Sequence, residues 1–224
     1  MLLVGITGGP GSGKSTAAGF FRELGAHVTS SDETARALMQ PGETVYAEIV
    51  RAFGSSVVAP DGKLDRSALG RLAFSEGRLQ ELEQLVHPAV LAAEKAWAER
   101  LPSDSIGMVE AAIFFERLLP PGIDRSSPSP EVLQSVAKQV HQRFHRVVLV
   151  TAPDEQKIER FARRMLSSHA DSSESAARAD AARRLALQIP DAVKAPYCDE
   201  ILPNDSTPEV LRTRVHALWQ KLQS

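Results

Sequence analysis

The sequence has a single cysteine, Cys198, which excludes an internal disulfide and fits a reducing compartment. With no activating neighbour along the chain, Cys198 reads as a small buried apolar residue rather than a nucleophile. Charge of one sign is missing too. The chain has 26 Lys and Arg against 28 Asp and Glu, a formal net charge of -2. That balance argues against a nucleic-acid coat or a polybasic membrane anchor, while leaving room for a local basic pocket. No run of about 18 apolar residues offers a membrane span. The opening Met1-Leu2-Leu3-Val4-Gly5-Ile6 is too short, and lacks the basic residues, for a signal peptide. A cytoplasmic protein is expected, with no nucleic-acid, membrane or protein partner. Internal repeats are absent as well.

At 224 residues and 43% hydrophobic content, the chain fits one α/β domain (1–224) with an inserted subdomain. Residues 2–7 form an apolar run ending in glycines, the pattern of a buried parallel strand. Ala17, Phe20, Phe21 and Leu24 then recur at helical spacing, and Gly25 is placed to end that helix. Residues 26–30 give a weaker second strand, after which Ser31 or Asp32 can cap the next helix. From there to about residue 102 the pattern is helical throughout. Leu79, Leu82 and Val86 mark one helix, Ala93 and Trp97 a separate one, and Asp65 can cap another. A helical insertion of this length, assigned to residues 38–102, exceeds the usual crossover and suits a substrate platform. Residues 106–110, 146–150 and 200–202 complete five strands, so the alternation calls for a parallel sheet wrapped on both faces. Residues 117–144 carry a proline-rich loop and then a helix near 132–144. The segment 119–135 reads as a surface excursion. Residues 167–175 are serine-rich, polar and flexible by composition. Thr207-Pro208-Glu209 opens a last helix. Phe53, Trp97 and Trp219 read as core.

The chemistry concentrates in Gly8-Gly9-Pro10-Gly11-Ser12-Gly13-Lys14-Ser15, which fits G-x-x-x-x-G-K-[ST]. Glycines let successive N–H groups turn inward around an anion, and the following helix adds its positive dipole end. Lys14 can reach β- and γ-phosphates, and the Ser15 hydroxyl suits Mg²⁺. The motif specifies a nucleotide phosphate, not yet a reaction. No Asn-Lys-x-Asp base-reading motif is present, against a GTPase, and an ABC-type signature is absent too. Small size and a long helical insertion favour a kinase of a nucleotide-like substrate. A nucleoside or nucleoside monophosphate kinase, or a nucleotide-binding regulator without turnover, are the alternatives.

An ordered set of further motifs resembles the dephospho-coenzyme A kinase family along nearly the whole chain. The run from Gly5 to Thr16 is similar to that family's P-loop. Asp32 with Ala35-Arg36, Gln40-Pro41-Gly42, Phe53-Gly54, Asp61-Gly62 with Leu64-Asp65-Arg66, and His87-Pro88 follow in its order. Phe115-Glu116, Arg184 with Gln188, and Asp199 with Asn204-Asp205 resemble its later motifs. The resemblance implies a three-layer P-loop kinase core with strand order 2-3-1-4-5, an inserted helical coenzyme A domain, and an arginine-bearing lid at 155–188. It implies ATP with Mg²⁺ as donor and dephospho-coenzyme A as acceptor. By the same resemblance residues 9–16 (Gly9, Pro10, Gly11, Ser12, Gly13, Lys14, Ser15, Thr16) and Asn204 bind the nucleotide. Asp32, Arg36, His87 and Glu116 then face the acceptor, Ser15 the metal, and Asp32, Lys14 and Arg164 carry the transfer. The sequence departs from the family pattern at Ser30, Ala112, Ile113, Phe114, His145 and Met165, and the stretch 117–144 is longer than the pattern.

Several of these residues have a plainer reading. Asp32 follows a strand whose carboxyl end lines the ligand crevice of a parallel sheet, where a carboxylate can take a hydroxyl proton, but aspartate also caps helices. Arg160, Arg163 and Arg164 sit on a helix with Ile158, Phe161, Ala162 and Met165 as its apolar face. They are either solvated or close over ATP, with Arg164 the first lid candidate and Arg160 the second. His87 before Pro88 can end one helix and start another. Glu110 can hold a metal-bound water or be a structural acid.

Overall fold

The computed structural model of the chain describes residues 1–75, 77–168 and 173–224. In chain order, β1 (Leu2–Thr7), α1 (Lys14–Glu23) and β2 (His27–Ser30) come first. The helices α2 (Ser31–Leu38), α3 (Thr44–Phe53), α4 (Arg66–Ser75) and α5 (Leu79–Ala98) follow. Then come β3 (Ile106–Glu110), α6 (Pro130–Arg143), β4 (Arg146–Thr151), α7 (Asp154–Ser168) and α8 (Glu174–Ala186). The short α9 (Asp191–Lys194), β5 (Glu200–Pro203) and α10 (Pro208–Gln223) close the chain. Two compact units result, residues 1–28 with 102–224, and residues 29–101. The serine-rich segment lies partly outside the described residues, at 169–172. No helix among the described residues is long and apolar enough to cross a membrane.

The first unit is built on a five-stranded sheet of order β2-β3-β1-β4-β5, the order that the resemblance implies. The pairs β1–β3, β1–β4 and β4–β5 are parallel, with Ile6 opposite both Glu110 and Val148. Strand alternation sends Val4 and Ile6 to one face, where both are fully buried with Ala17 and Phe21 of α1, Met108, Val148, and Leu211 and Val215 of α10. Burying a side chain such as Phe21 contributes about 1.5–3 kcal/mol, so this layer holds α1 against the sheet. Gly5 points to the opposite face. A Cβ there would lie 2.9 Å from Cδ2 of Phe144 and 3.1 Å from Cε2 of Phe114. Those two rings pack 4.8 Å apart, and glycine admits them close to the strand.

His145, one of the departures, heads β4 and does the work of an acceptor. Its Nδ1 accepts the Leu3 N–H at 2.9 Å, and its own N–H donates to the Leu3 carbonyl at 2.8 Å. Accepting at Nδ1 requires the proton on Nε2 in the neutral ring. Asp199 similarly joins two strands, its Oδ2 accepting from the Val147 N–H at 2.7 Å.

The second unit is helical and has its own small core of Val45, Ile49, Phe53, Val57 and Leu69, flanked by Leu82, Leu85 and Val86. Asp65 caps α4 as its residue type allows, accepting from Ser67 and Ala68 N–H at 2.9 and 3.0 Å. Arg78 stacks 4.2 Å over Phe53 and donates to the Ala52 carbonyl at 2.9 Å.

Four expectations change. The two helices read at 79–86 and 93–97 are one helix, α5, and His87-Pro88 lies inside it. Proline removes a single N–H there, the one that would reach the carbonyl of Gln84, and the apolar stripe on both sides keeps the helix together. Neither Ser31 nor Asp32 caps α2. Ser30, in extended conformation, holds the N-cap position without a side-chain bond, and Asp32 falls in the first turn. The surface excursion ends before residue 130. Ser129 caps α6 by accepting the Val132 N–H at 3.4 Å, and Leu133, Val136, Ala137 and Val140 are buried. Phe53 is core, but Trp97 and Trp219 are only half-buried.

Candidate active site

The loop 8–13 follows the carboxyl end of β1 directly, so the strand aims it and α1 anchors it. Three of its glycines take positive φ, 147° at Gly8, 77° at Gly11 and 89° at Gly13, a backbone that side chains disfavour. Each is also closed against a neighbour. A Cβ on Gly8 would lie 2.3 Å from the Val150 carbonyl oxygen, on Gly11 2.0 Å from the Lys157 carbonyl oxygen, and on Gly13 2.0 Å from Asn204 Nδ2. The cradle is therefore set against β4, the first turn of α7, and the turn after β5. Gly9 is walled in a further way, its Cβ position being 3.0 Å from Leu185 Cδ1 and 3.5 Å from Lys157 Cδ.

Asn204 bolts this arrangement. Its Nδ2 donates to the Ser12 carbonyl at 2.7 Å and its own N–H donates to Thr151 at 2.7 Å. The turn that carries Asn204 is held by Arg214, which donates to the Pro203 carbonyl at 2.8 Å and to Asp205 at 2.6 Å. That hydrogen bond from Arg214 keeps the Asp205 carboxyl below the usual range. Ser12 is wholly buried, and its Oγ has no hydrogen-bond partner among the described residues. Buried polar groups are normally satisfied, so the loop keeps polar capacity in reserve.

Lys14, 8% exposed, donates from Nζ to the Gly9 carbonyl at 3.2 Å, which lays its ammonium over the loop. Ser15 Oγ donates to Glu110 Oε1 at 2.8 Å. Glu110 ends β3, the strand beside β1, so the sheet register brings a hydroxyl and a carboxylate together. Hydroxyl and carboxylate oxygens suit a hard cation. Among the described residues no group of three His, Cys, Asp or Glu could hold a metal by itself. A metal here would draw its other ligands from phosphate and water, as Mg²⁺ commonly does. Thr16 is exposed on the first turn of α1, and Pro10 is half-buried.

In the segment expected to form a lid, Arg160 donates from Nη1 to the Asn204 carbonyl at 2.9 Å and from Nη2 to Gln156 Oε1 at 2.9 Å. Arg164 is exposed, and its guanidinium stacks 5.1 Å from the Phe161 ring, with Arg184 5.6 Å from the same ring. Arg160, the second lid candidate, thus contacts the residue that holds the loop. Glu116 is buried at 2% exposure. Its Oε1 accepts from Lys194 Nζ at 3.0 Å and from the Ile189 N–H at 3.1 Å.

In the helical unit, Asp32 and Arg36 are exposed on α2 one turn apart, and His87 is half-buried in α5. The first turn of α2 is fixed by Ser31, which donates to the buried Glu94 Oε1 at 2.6 Å. Sequence reasoning missed Glu94, and it missed Lys157. Lys157 is 2% exposed, pairs with Asp154 at 3.0 Å and with Asp191, and backs the loop at Gly9 and Gly11. Its only signal was an Asp154-x-x-Lys157 spacing at a helix start, which resembles any surface pair.

The family model for dephospho-CoA kinase (CoaE) matches residues 2–125. A dephospho-CoA kinase of Moorella thermoacetica is 32% identical over 228 residues, covering 100% of this chain and 93% of that protein. One of Geobacter sulfurreducens is 31% identical and covers 99% and 98%. Among solved structures, TT1252 from Thermus thermophilus superposes with TM-score 0.72 at 30% identity, covering 99% and 97%. A dephospho-CoA kinase from Campylobacter jejuni gives TM-score 0.58 at 21% identity, covering 98% and 96%, a likeness of fold.

Proposed function

The chain belongs to the dephospho-CoA kinase family, and from that premise we propose how its own residues serve the reaction. The protein phosphorylates the 3′-hydroxyl of dephospho-coenzyme A with ATP, giving coenzyme A and ADP, the last step of coenzyme A biosynthesis. The observation that carries the assignment of the ATP site is the cradle of residues 8–15, where three glycines are closed against backbone or Asn204 and no side chain could be added. Inward N–H groups and the N-terminal end of α1 hold the phosphates, and Lys14 supplies a positive charge at their terminal end.

In the transfer, the 3′-oxygen of the acceptor attacks the γ-phosphorus in line with the departing β,γ-bridging oxygen. The new O–P bond forms as the bridging P–O bond breaks, ADP leaves, and the hydroxyl proton passes to the Asp32 carboxylate. Asp32 is free for that role because the capping duty does not fall to it. When bound, Mg²⁺ supplies charge neutralisation across the phosphates. Ser15 with Glu110 is the pair that would hold it. Arg160 or Arg164 adds positive charge from the lid side, with Asn204 on the nucleotide and Arg36 and His87 assigned to the acceptor, while Glu116, buried on Lys194 and the Ile189 N–H, is left out of that set. We place the reaction in the cytoplasm.

The test is an ADP-release assay over dephospho-coenzyme A, nucleosides, nucleoside monophosphates and shikimate, run with wild type and Asp32→Asn. Dephospho-coenzyme A should be turned over in clear preference, and Asp32→Asn should lose about 10²–10⁴-fold in kcat with ATP affinity unchanged. A preferred acceptor of another class overturns the substrate. A loss under about fivefold removes Asp32 as the base.

A further inference from the structure

Gln188 is 8% exposed, and its Oε1 is fully buried with no hydrogen-bond partner among the described residues. It lies just past the end of α8, in the wall of the phosphate loop, with Oε1 3.7 Å from where a Cβ of Gly9 would stand. Two ammonium groups at the loop direct donors to other partners. Lys157 Nζ is paired with Asp154 and Asp191, and Lys14 Nζ donates to the Gly9 carbonyl. Nor is the position an accident of a loose segment. The Gln188 N–H donates to the Leu185 carbonyl at 3.0 Å, and the next N–H, of Ile189, is held by Glu116, itself locked by the fully buried Lys194.

A side chain on a backbone held so firmly, its Oε1 left without a partner among the described residues beside Gly9 of an anion cradle, is aimed at a ligand. A half-turn of the amide exchanges Oε1 for Nε2 within the same volume, presenting an N–H donor toward the loop. We propose that Gln188 is a nucleotide-contacting residue whose Nε2 donates to an oxygen of the terminal phosphate of ATP at the Gly9 end of the loop. The inference rests on the reading of residues 8–15 as the ATP site. A neutral donor there adds a directional bond without a further charge, and it ties the end of α8 to the presence of the terminal phosphate.

The test uses the full chain carrying Gln188→Met, which keeps the length and is apolar, and Gln188→Glu, which keeps the shape but offers only acceptors when ionised. ATP and ADP affinities are measured by calorimetry, with thermal melts of the nucleotide-free proteins. Gln188→Met should melt at or above wild type, because an unsatisfied buried group has been removed. It should lose about 10- to 100-fold in ATP affinity, the range for a hydrogen bond to a charged group, with ADP affinity held within about threefold. Gln188→Glu should lose at least as much ATP affinity, through repulsion of the phosphates. A lower melt in Gln188→Met, or equal effects on ATP and ADP, makes the residue structural and overturns the proposal, as does unchanged ATP affinity. Failure of wild type to bind ATP would instead overturn the nucleotide site itself.

Discussion

Replacing Lys194 with methionine removes half of an ion pair whose two side chains, Lys194 and Glu116, are 0% and 1% exposed. Methionine keeps much of the length and the apolar body, so little cavity opens. What remains is a buried carboxylate reduced to one donor on Oε1, the Ile189 N–H, with no hydrogen-bond partner on Oε2 among the described residues. Breaking such a pair from one side costs about 3–5 kcal/mol, since the surviving charge stays out of water. At this chain length each kcal/mol moves Tm by about 2–4 °C, so the melt should drop by about 6–20 °C. Glu116→Gln alone strands the ammonium and should cost a similar amount. The double variant carries no charge in the site and should recover most of the loss, a coupling of at least about 2 kcal/mol. Urea titrations and calorimetric melts of the four proteins measure it. A single-variant loss below about 1 kcal/mol, or a double variant as unstable as the summed singles, would refute the reasoning.

Gly11→Ala places a Cβ 2.0 Å from the Lys157 carbonyl oxygen at φ 77°, against backbone that cannot rotate aside. ATP affinity measured by calorimetry should fall by more than about 100-fold, with left-handed strain of about 1–2 kcal/mol showing in the melt. Replacing residues 119–128 by a short glycine-serine linker spares the Ser129 cap and should leave kcat/KM within about tenfold. Extending the deletion to 135 should lower stability by several kcal/mol, because Leu133 is buried in α6. Burial pushes the Cys198 thiol from an ordinary 9.0 to about 12. Its contribution is therefore intact below pH 9 and lost as pH rises from 9 toward 12, where the unfolded chain ionises first. Stability should decline across that window. Thiol labelling of the native protein at pH 8 should be far slower than of the urea-unfolded chain.

The sequence by itself determined the five strands, the phosphate loop and the family, because these depend on local information. An apolar run ending in glycines can do little else, and Gly8 to Ser15 carries its chemistry in consecutive residues. It also placed Asp65 and Thr207 as caps, since a cap bonds within its own turn. Tertiary structure decided the rest. Whether His87-Pro88 breaks a helix depends on the packing of the residues on both sides, not on the dipeptide. Whether Asp32 caps α2 depends on how far β2 continues, and it runs to Ser30. Lys157, Lys194 and Glu94 have the sequence look of surface charges, because burial is a property of what packs over a residue. Gln188 was visible only as part of a motif, and its unsatisfied oxygen against Gly9 exists because α8 ends beside a loop nearly 180 residues earlier in the chain. Contacts between residues so distant are set by the folded sheet, and no local pattern encodes them.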